Sequence, residues 1–369
     1  MTNAPAIDSG GTGSRIFVIA EAGVNHNGDP DLAHSLVEVA KRAGADAVKF
    51  QTFSADRVVA KNALKAAYQL ETTDKSESQY EMLKRLELSE AMHLALAQHA
   101  RELGLEFMST PFDEAAASFL AERLGVVRLK IPSGEITNGP FLLHIARLGL
   151  PMVLSTGAST ISEVGEALGV IGFGLMEPRD AVPKRARLDE YRLEAQALLE
   201  ERVTLLHCTT EYPAPVHDAN LNAITTLRET FSLNSGLSDH SAGIALAIAS
   251  VALGAQVIEK HFTLDRSLSG PDHRASLEPD ELAQMIDGIR MVSVALGDGV
   301  KRPAPSEMAN LEIVRRSLVA KSDIAAGSLF DWDNLEARRP GSGVSPMTAW
   351  QMIGHRASRS YRRGDLIDD

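Results

Sequence analysis

Between Ile16 and about Leu296, eight short apolar runs alternate with longer amphipathic segments, and this alternation leaves the chain very few folds. The runs are IFVIAE, DAVKFQ, LEFMST, VRLKIPS, PMVLSTG, VTLLHC, SLNSGLSDH and QVIEKHF. Strand-length runs separated by helical patterns imply parallel strands joined by right-handed crossovers. The helical patterns at 30–43, 89–103, 113–124 and 243–253 carry their own punctuation. Asp29, Ser89 and Asp113 stand where N-caps belong, while Gly44, Gly104, Gly125 and Gly254 follow the ends. Eight such units in ~280 residues predict a (β/α)8 TIM barrel rather than an open doubly wound sheet.

Two excursions interrupt the rhythm. Residues 54–87 are polar and too long for a simple loop, so they are expected to cover the active face. Residues 172–202 hold a charged stretch, LDEYRLEAQALLEE, read as one surface helix free for an oligomer contact. Residues 1–14 read as a flexible tail before a barrel spanning 15–296. A proline-bearing linker at 297–312 leads to a loop-rich domain at 313–369, too small to be stable unaided.

A net charge of −12 argues against a nucleic-acid or anionic-membrane surface. The single cysteine, Cys208, excludes an intramolecular disulfide and a cysteine-rich zinc site, and its apolar setting predicts a buried structural thiol. No apolar stretch has membrane-spanning length, and the N-terminus lacks a signal-peptide pattern, which together predict a cytoplasmic protein.

The catalytic groups of such a barrel gather where its strands end. Strand one ends in Glu21, then Asn25 and His26; strand two in Lys49 and Gln51; strand three in Ser109 and Thr110. Strand four brings Lys130 and Ser133, then Glu135, and strand five Ser155, Thr156 and Gly157. Strand six brings His207, Thr209, Thr210 and Tyr212; strands seven and eight bring Ser238, Asp239, His240, Glu259, Lys260 and His261. Two strand-end histidines, His240 and His261, with the nearby carboxylate Asp272, can hold a divalent metal with positions left open; the alternative is a pair of satisfied core histidines. Lys49 and Lys130 with the hydroxyls of Thr110, Ser133 and Ser155 suit a ligand bearing phosphate and carboxylate. The STG loop offers further backbone N–H groups. Glu21 is placed to act as a general acid or base, or to pair with one of the lysines.

These residues resemble the sialic acid synthase family, the nonulosonic acid synthases. The matching blocks are IAEAGVNHNG, VKFQTF, STPFDE, KIPSGE, LSTG, LLHCTTEYPAP, GLSDH, IEKHFTLD and GPDHRASLEPDEL. SLVAKSDIAAG and RRPGSGVSPM are similar to the family's antifreeze-like (SAF, β-clip) domain. The resemblance implies condensation of phosphoenolpyruvate with an N-acylated hexose and water. It assigns phosphoenolpyruvate to Lys49, Thr110, Lys130, Ser133 and Ser238, and the open-chain sugar to Gln51, Tyr212 and Asp272. It gives His240 and His261 a divalent cation, manganese first and magnesium or cobalt as alternatives. Glu21 would handle the proton of the added water. Arg339 would reach the substrate's N-acyl group in the other subunit of a domain-swapped homodimer. Thr210 departs from the pattern, standing where some members have asparagine.

GPDHRASL looks more like synthases of sialic or legionaminic acid than of pseudaminic acid. N-acetylmannosamine, giving N-acetylneuraminate, is therefore the first expected acceptor, and 2,4-diacetamido-2,4,6-trideoxymannose, giving N,N'-diacetyllegionaminate, the second. Two rivals remain: a Schiff-base pyruvate aldolase using Lys49 or Lys130, and a carbohydrate- or ice-binding protein with a vestigial barrel.

Overall fold

Each apolar run carries one strand of a single parallel sheet. The strands are β1 (Phe17–Gly23), β2 (Ala47–Thr52), β3 (Glu106–Pro111), β4 (Leu129–Ile131), β5 (Met152–Ser155), β6 (Val203–Cys208), β7 (Asn234–Asp239) and β8 (Val257–His261). This computed structural model describes residues 15–65, 70, 73, 74 and 76–368, so the tail at 1–14 lies outside the described residues. The hydrogen-bonded order is β3-β2-β1-β8-β7-β6-β5-β4, with β3 and β4 packed side by side, which closes a barrel. β4 is shorter than its run because Pro132 has no N–H for a ladder and the chain turns at Ser133–Glu135.

Strand alternation divides the interior into two layers. Ile19, Ala47, Met108, Val153, Leu206 and Val257 form a separate apolar cluster inside the ring. Two residues further along the same strands stand Glu21, Lys49, Thr110, Ser155, Cys208 and Glu259, which line a cavity. The apolar layer closes the barrel from below, and the layer above it holds the chemistry.

The helix caps fall where the sequence places them. Asp29 accepts from the N–H groups of Asp31 and Leu32, Ser89 from that of Met92, and Asp113 from that of Ala116. Gly125 ends its helix at φ 71°, a conformation that favours glycine. The helix starting at Glu114 widens from α to π geometry at Phe119–Leu124.

The stretch LDEYRLEAQALLEE does not form one surface helix. Gly172 lies inside the long helix Ile161–Met176, and the charged stretch splits into helices Leu188–Glu194 and Gln196–Arg202. They bury Leu188, Tyr191, Ala195 and Leu199. Two glycines permit this packing. A methyl at Gly169 would stand 2.3 Å from Leu188 O, and one at Gly172 would stand 2.8 Å from Ala195 Cβ. Gly169→Ala is therefore expected to destabilise the chain by about 1–3 kcal/mol, because the obstacle is backbone that must shift. An unchanged thermal midpoint would show that the two helices do not need this close contact.

Within 54–87, the helices Ala55–Val58 and Gln79–Leu86 are described. Met82 and Leu86 join Val24 and Phe53 in a small apolar cluster, against which Leu83 and Phe112 pack. This segment therefore forms one wall of the cavity.

The described backbone parts into two compact units, which divide between Asp298 and Gly299. In the second, a turn at Pro305–Asn310 and a short helix at Leu311–Val314 occupy part of the stretch read as linker. They precede an antiparallel pair, β9 (Ser317–Ala320) and β10 (Leu335–Arg338). This unit has its own small core, including Leu318, Ile324, Phe330, Met352 and Tyr361. Among the described residues, no helix is long and apolar enough to cross a membrane.

Candidate active site

The cavity above the apolar layer measures about 340 Å³ and takes its floor from four buried charges. Lys49 Nζ lies 2.7 Å from Glu21 Oε2 and 3.5 Å from Glu259 Oε2, and donates to Thr110 Oγ1 at 2.9 Å. Glu259 Oε1 lies 3.3 Å from Lys130 Nζ and accepts from Ser238 Oγ at 2.7 Å. Gln51 Nε2 donates to Glu21 Oε1 at 3.4 Å.

The two buried carboxyls end on opposite sides of their ordinary value. Burial pushes Glu21 up to about 7; Lys49 opposes the shift and Glu259 adds to it. Burial would also raise Glu259, but Lys130 and Lys49 outweigh it, together with the Ser238 hydrogen bond, and hold Glu259 well below the usual range. Burial lowers Lys130, with Glu259 opposing, whereas Glu21 and Glu259 raise Lys49 against its burial. Near neutral pH, Glu259 is thus the fixed anion and Glu21 the carboxyl able to exchange a proton.

Beside this floor stand two neutral imidazoles, with ring centroids 5.8 Å apart. His240 Nδ1 lies 2.7 Å from Thr209 O, so that nitrogen carries the proton and Nε2, 3.3 Å from Ser238 Oγ, keeps its lone pair. His261 Nδ1 has no hydrogen-bond partner and lies 3.9 Å from Asp272 Oδ2. Burial lowers His240 to about 4 and His261 well below its ordinary value, and raises Asp272 to about 6. The contact between His261 and Asp272 is thus not an ion pair. Two neutral nitrogen donors, one with its tautomer set by a backbone carbonyl, fit a divalent cation. Among the described residues no group of three or more His, Cys, Asp or Glu is arranged to hold a metal, so water or substrate would complete the coordination. Tyr212 closes this side, its ring 4.2 Å from that of His240.

Every residue assigned a role from sequence lines this one cavity except Arg339. Arg339 belongs to the second unit, where it is exposed and donates from Nε to Val314 O at 3.1 Å. The STG loop does not offer a free anion cradle. The N–H of Thr156 donates to Leu206 O, and that of Gly157 to Ser133 Oγ at 2.9 Å. Gly157 is required by closeness, since a methyl there would stand 2.4 Å from Thr210 Oγ1 and 2.7 Å from Cys208 Sγ. Cys208 is buried but belongs to the site, its Sγ 3.0 Å from Ser133 Oγ.

Asp239 and Lys260 point the other way and pair with each other at 2.8 Å. His26, His207 and Glu135 also lie outside the cavity lining. Glu259 received no role from sequence; once pairing with β1 and β7 turns His261 inward, alternation places Glu259 inside with it.

The profile of the NeuB family matches residues 36–301, and that of the SAF domain matches residues 315–369. The chain belongs to the NeuB family. It is a nonulosonic acid synthase, a transferase that condenses phosphoenolpyruvate with an acylated hexose. It is 46% identical to the N,N'-diacetyllegionaminic acid synthase of Campylobacter jejuni, over 96% of this chain and 99% of that one. Identity to the enzyme of the same name from Legionella pneumophila is 45%, over 97% and 94%. The crystal structure of N-acetylneuraminic acid synthetase from Leptospira borgpetersenii superposes with a TM-score of 0.64 at 32% identity, covering 81% of this chain and 90% of that one.

Proposed function

We propose that the acceptor is 2,4-diacetamido-2,4,6-trideoxymannose and the product N,N'-diacetyllegionaminate. Of the two acceptors expected from the sequence, the 6-deoxy sugar is favoured by the identity to legionaminic acid synthases, 46% and 45% against 32% for the sialic acid synthetase. A physical feature agrees. Val58, Phe53, Met82, Leu83 and Phe112 give the cavity an apolar wall, better matched to a methyl than to a hydroxymethyl group.

The observation that carries the reaction is the floor itself, two lysines and three hydroxyls beside two neutral imidazoles. Lys49 and Lys130, with Thr110, Ser133 and Ser238, would hold the phosphate and carboxylate of phosphoenolpyruvate, and Glu259 keeps both ammonium groups aligned. His240 and His261 would hold a divalent cation, manganese first and magnesium or cobalt as alternatives. Such a cation supplies polarisation of the aldehyde oxygen. Gln51, Tyr212, Thr210 and Asp272 would orient the open-chain sugar so that its C1 meets C3 of phosphoenolpyruvate.

As that carbon–carbon bond forms, positive charge develops at C2 above the Glu21–Glu259 floor. Water adds at C2, and Glu21 takes its proton. The C2 hydroxyl then loses its proton as the C2–O bond to phosphate breaks, leaving the 2-keto acid and inorganic phosphate; of the two protons that came from water, one ends on the sugar's C1 oxygen and the other on the departing phosphate. A cytoplasmic homodimer, in which Arg339 of one copy meets the N-acyl group held by the other, belongs to the same proposal and is supported by the family resemblance.

The test is phosphate release from phosphoenolpyruvate with manganese and sugar, run beside pyruvate with borohydride. Release that needs the sugar and stops with chelator supports the proposal. A borohydride-trapped pyruvate adduct on Lys49 or Lys130 would instead establish the Schiff-base aldolase.

A further inference from the structure

The segment after β1, VNHNG, carries buried polar residues that the reaction does not use, and their hydrogen bonds lead to Asp272. Asn25 is only 2% exposed, and its Nδ2 donates to Phe262 O at 2.8 Å and to Ser276 Oγ at 2.9 Å. Ser276, equally buried, passes the chain on, its hydroxyl donating to Asp272 O at 2.7 Å. Asn27 holds the same turn one residue later, its Oδ1 3.2 Å from His273 Nε2, while His273 Nδ1 lies 2.7 Å from Thr263 Oγ1. A methyl at Gly270 would stand 2.8 Å from Asn27 Oδ1, so glycine there lets the two loops approach.

The direction of this relay is fixed by proton count. Ser276 has one hydroxyl hydrogen and gives it to Asp272 O, so it must accept from Asn25. Asn25 in turn has two amide hydrogens on Nδ2 and uses both. We propose that Asn25 is a positioning residue for the reaction. Through Ser276 it fixes the turn that carries Asp272 against the ends of β1 and β8, and so sets that carboxyl beside His261. The inference rests on the reading of Asp272 as a sugar contact.

Asn25→Asp keeps the side-chain size and removes both donors, and Ser276→Ala breaks the relay from its other end should the first variant fold poorly. In each, the backbone amides of Ala275 and Ser276 are expected to exchange hydrogen faster. The KM for the sugar should rise about 10- to 100-fold while that for phosphoenolpyruvate stays within about twofold, because only the sugar side is displaced. A merely structural role would move both constants together.

Asp272→Ala, measured alongside, separates the inference from the reading beneath it. If Asp272→Ala leaves the sugar KM unchanged, the sugar contact is wrong and hydrogen exchange alone decides the case for Asn25. Unchanged exchange in both variants, or an equal rise in both KM values, overturns the positioning role.

Discussion

His261→Ala should reduce turnover by on the order of 10³-fold while the barrel melts at nearly its original temperature. The loss follows from the proposed metal, whose stabilisation of developing charge is worth several kcal/mol, at about 1.4 kcal/mol per tenfold. The fold should survive because the imidazole faces a cavity, its Nδ1 makes no hydrogen bond, and no core volume is lost. Binding of manganese, followed by calorimetry, should weaken in parallel. Near-normal turnover in this variant would remove the metal from the account.

Lys130→Met should show two separable defects. The first is kinetic: truncating one partner of a buried charge pair costs about 2–5 kcal/mol, so the KM for phosphoenolpyruvate should rise roughly 30-fold or more. The second concerns stability. Glu259, held well below its ordinary pKa against burial first by Lys130 and then by Lys49, would keep Lys49 at 3.5 Å and the Ser238 hydrogen bond but lose its larger partner. Breaking a buried pair in this way costs about 3–5 kcal/mol, visible as a lower barrel transition in calorimetry. The double variant Lys130→Met/Glu259→Gln should recover most of that stability without recovering affinity. Stability that stays low in the double variant would show that Lys130 supports the fold by packing, not by charge.

The barrel was legible because parallel strands buried on both faces must be apolar, and the eight runs IFVIAE to QVIEKHF stand out against amphipathic helices. Their chemistry was legible because all eight runs end in polar residues on one rim, although a single end says little, as the outward pair Asp239 and Lys260 shows. What the sequence lacked was phase. In the run Glu259-Lys260-His261 all three residues look equally polar, and only pairing with β1 and β7 turns Glu259 and His261 inward and sends Lys260 out to Asp239.

The STG loop misled for a related reason. A glycine that frees N–H groups and a glycine that admits a neighbour look alike in sequence, and Gly157 is the second kind. In 172–202 the charges were visible, but the close approach made possible by Gly169 and Gly172 was not. Cys208 was correctly read as buried, yet burial beside Ser133 also places it in the site.

The measurement that bears most directly on the account is kcat/KM for phosphate release from phosphoenolpyruvate with manganese, compared between 2,4-diacetamido-2,4,6-trideoxymannose and N-acetylmannosamine. The account predicts turnover with both and a preference for the 6-deoxy sugar of about 10-fold or more, the scale on which an apolar pocket separates such neighbours. A preference for N-acetylmannosamine would make the chain a sialic acid synthase despite its apolar wall. No phosphate release with either sugar, with manganese bound, would contradict the proposed choice of acceptor altogether.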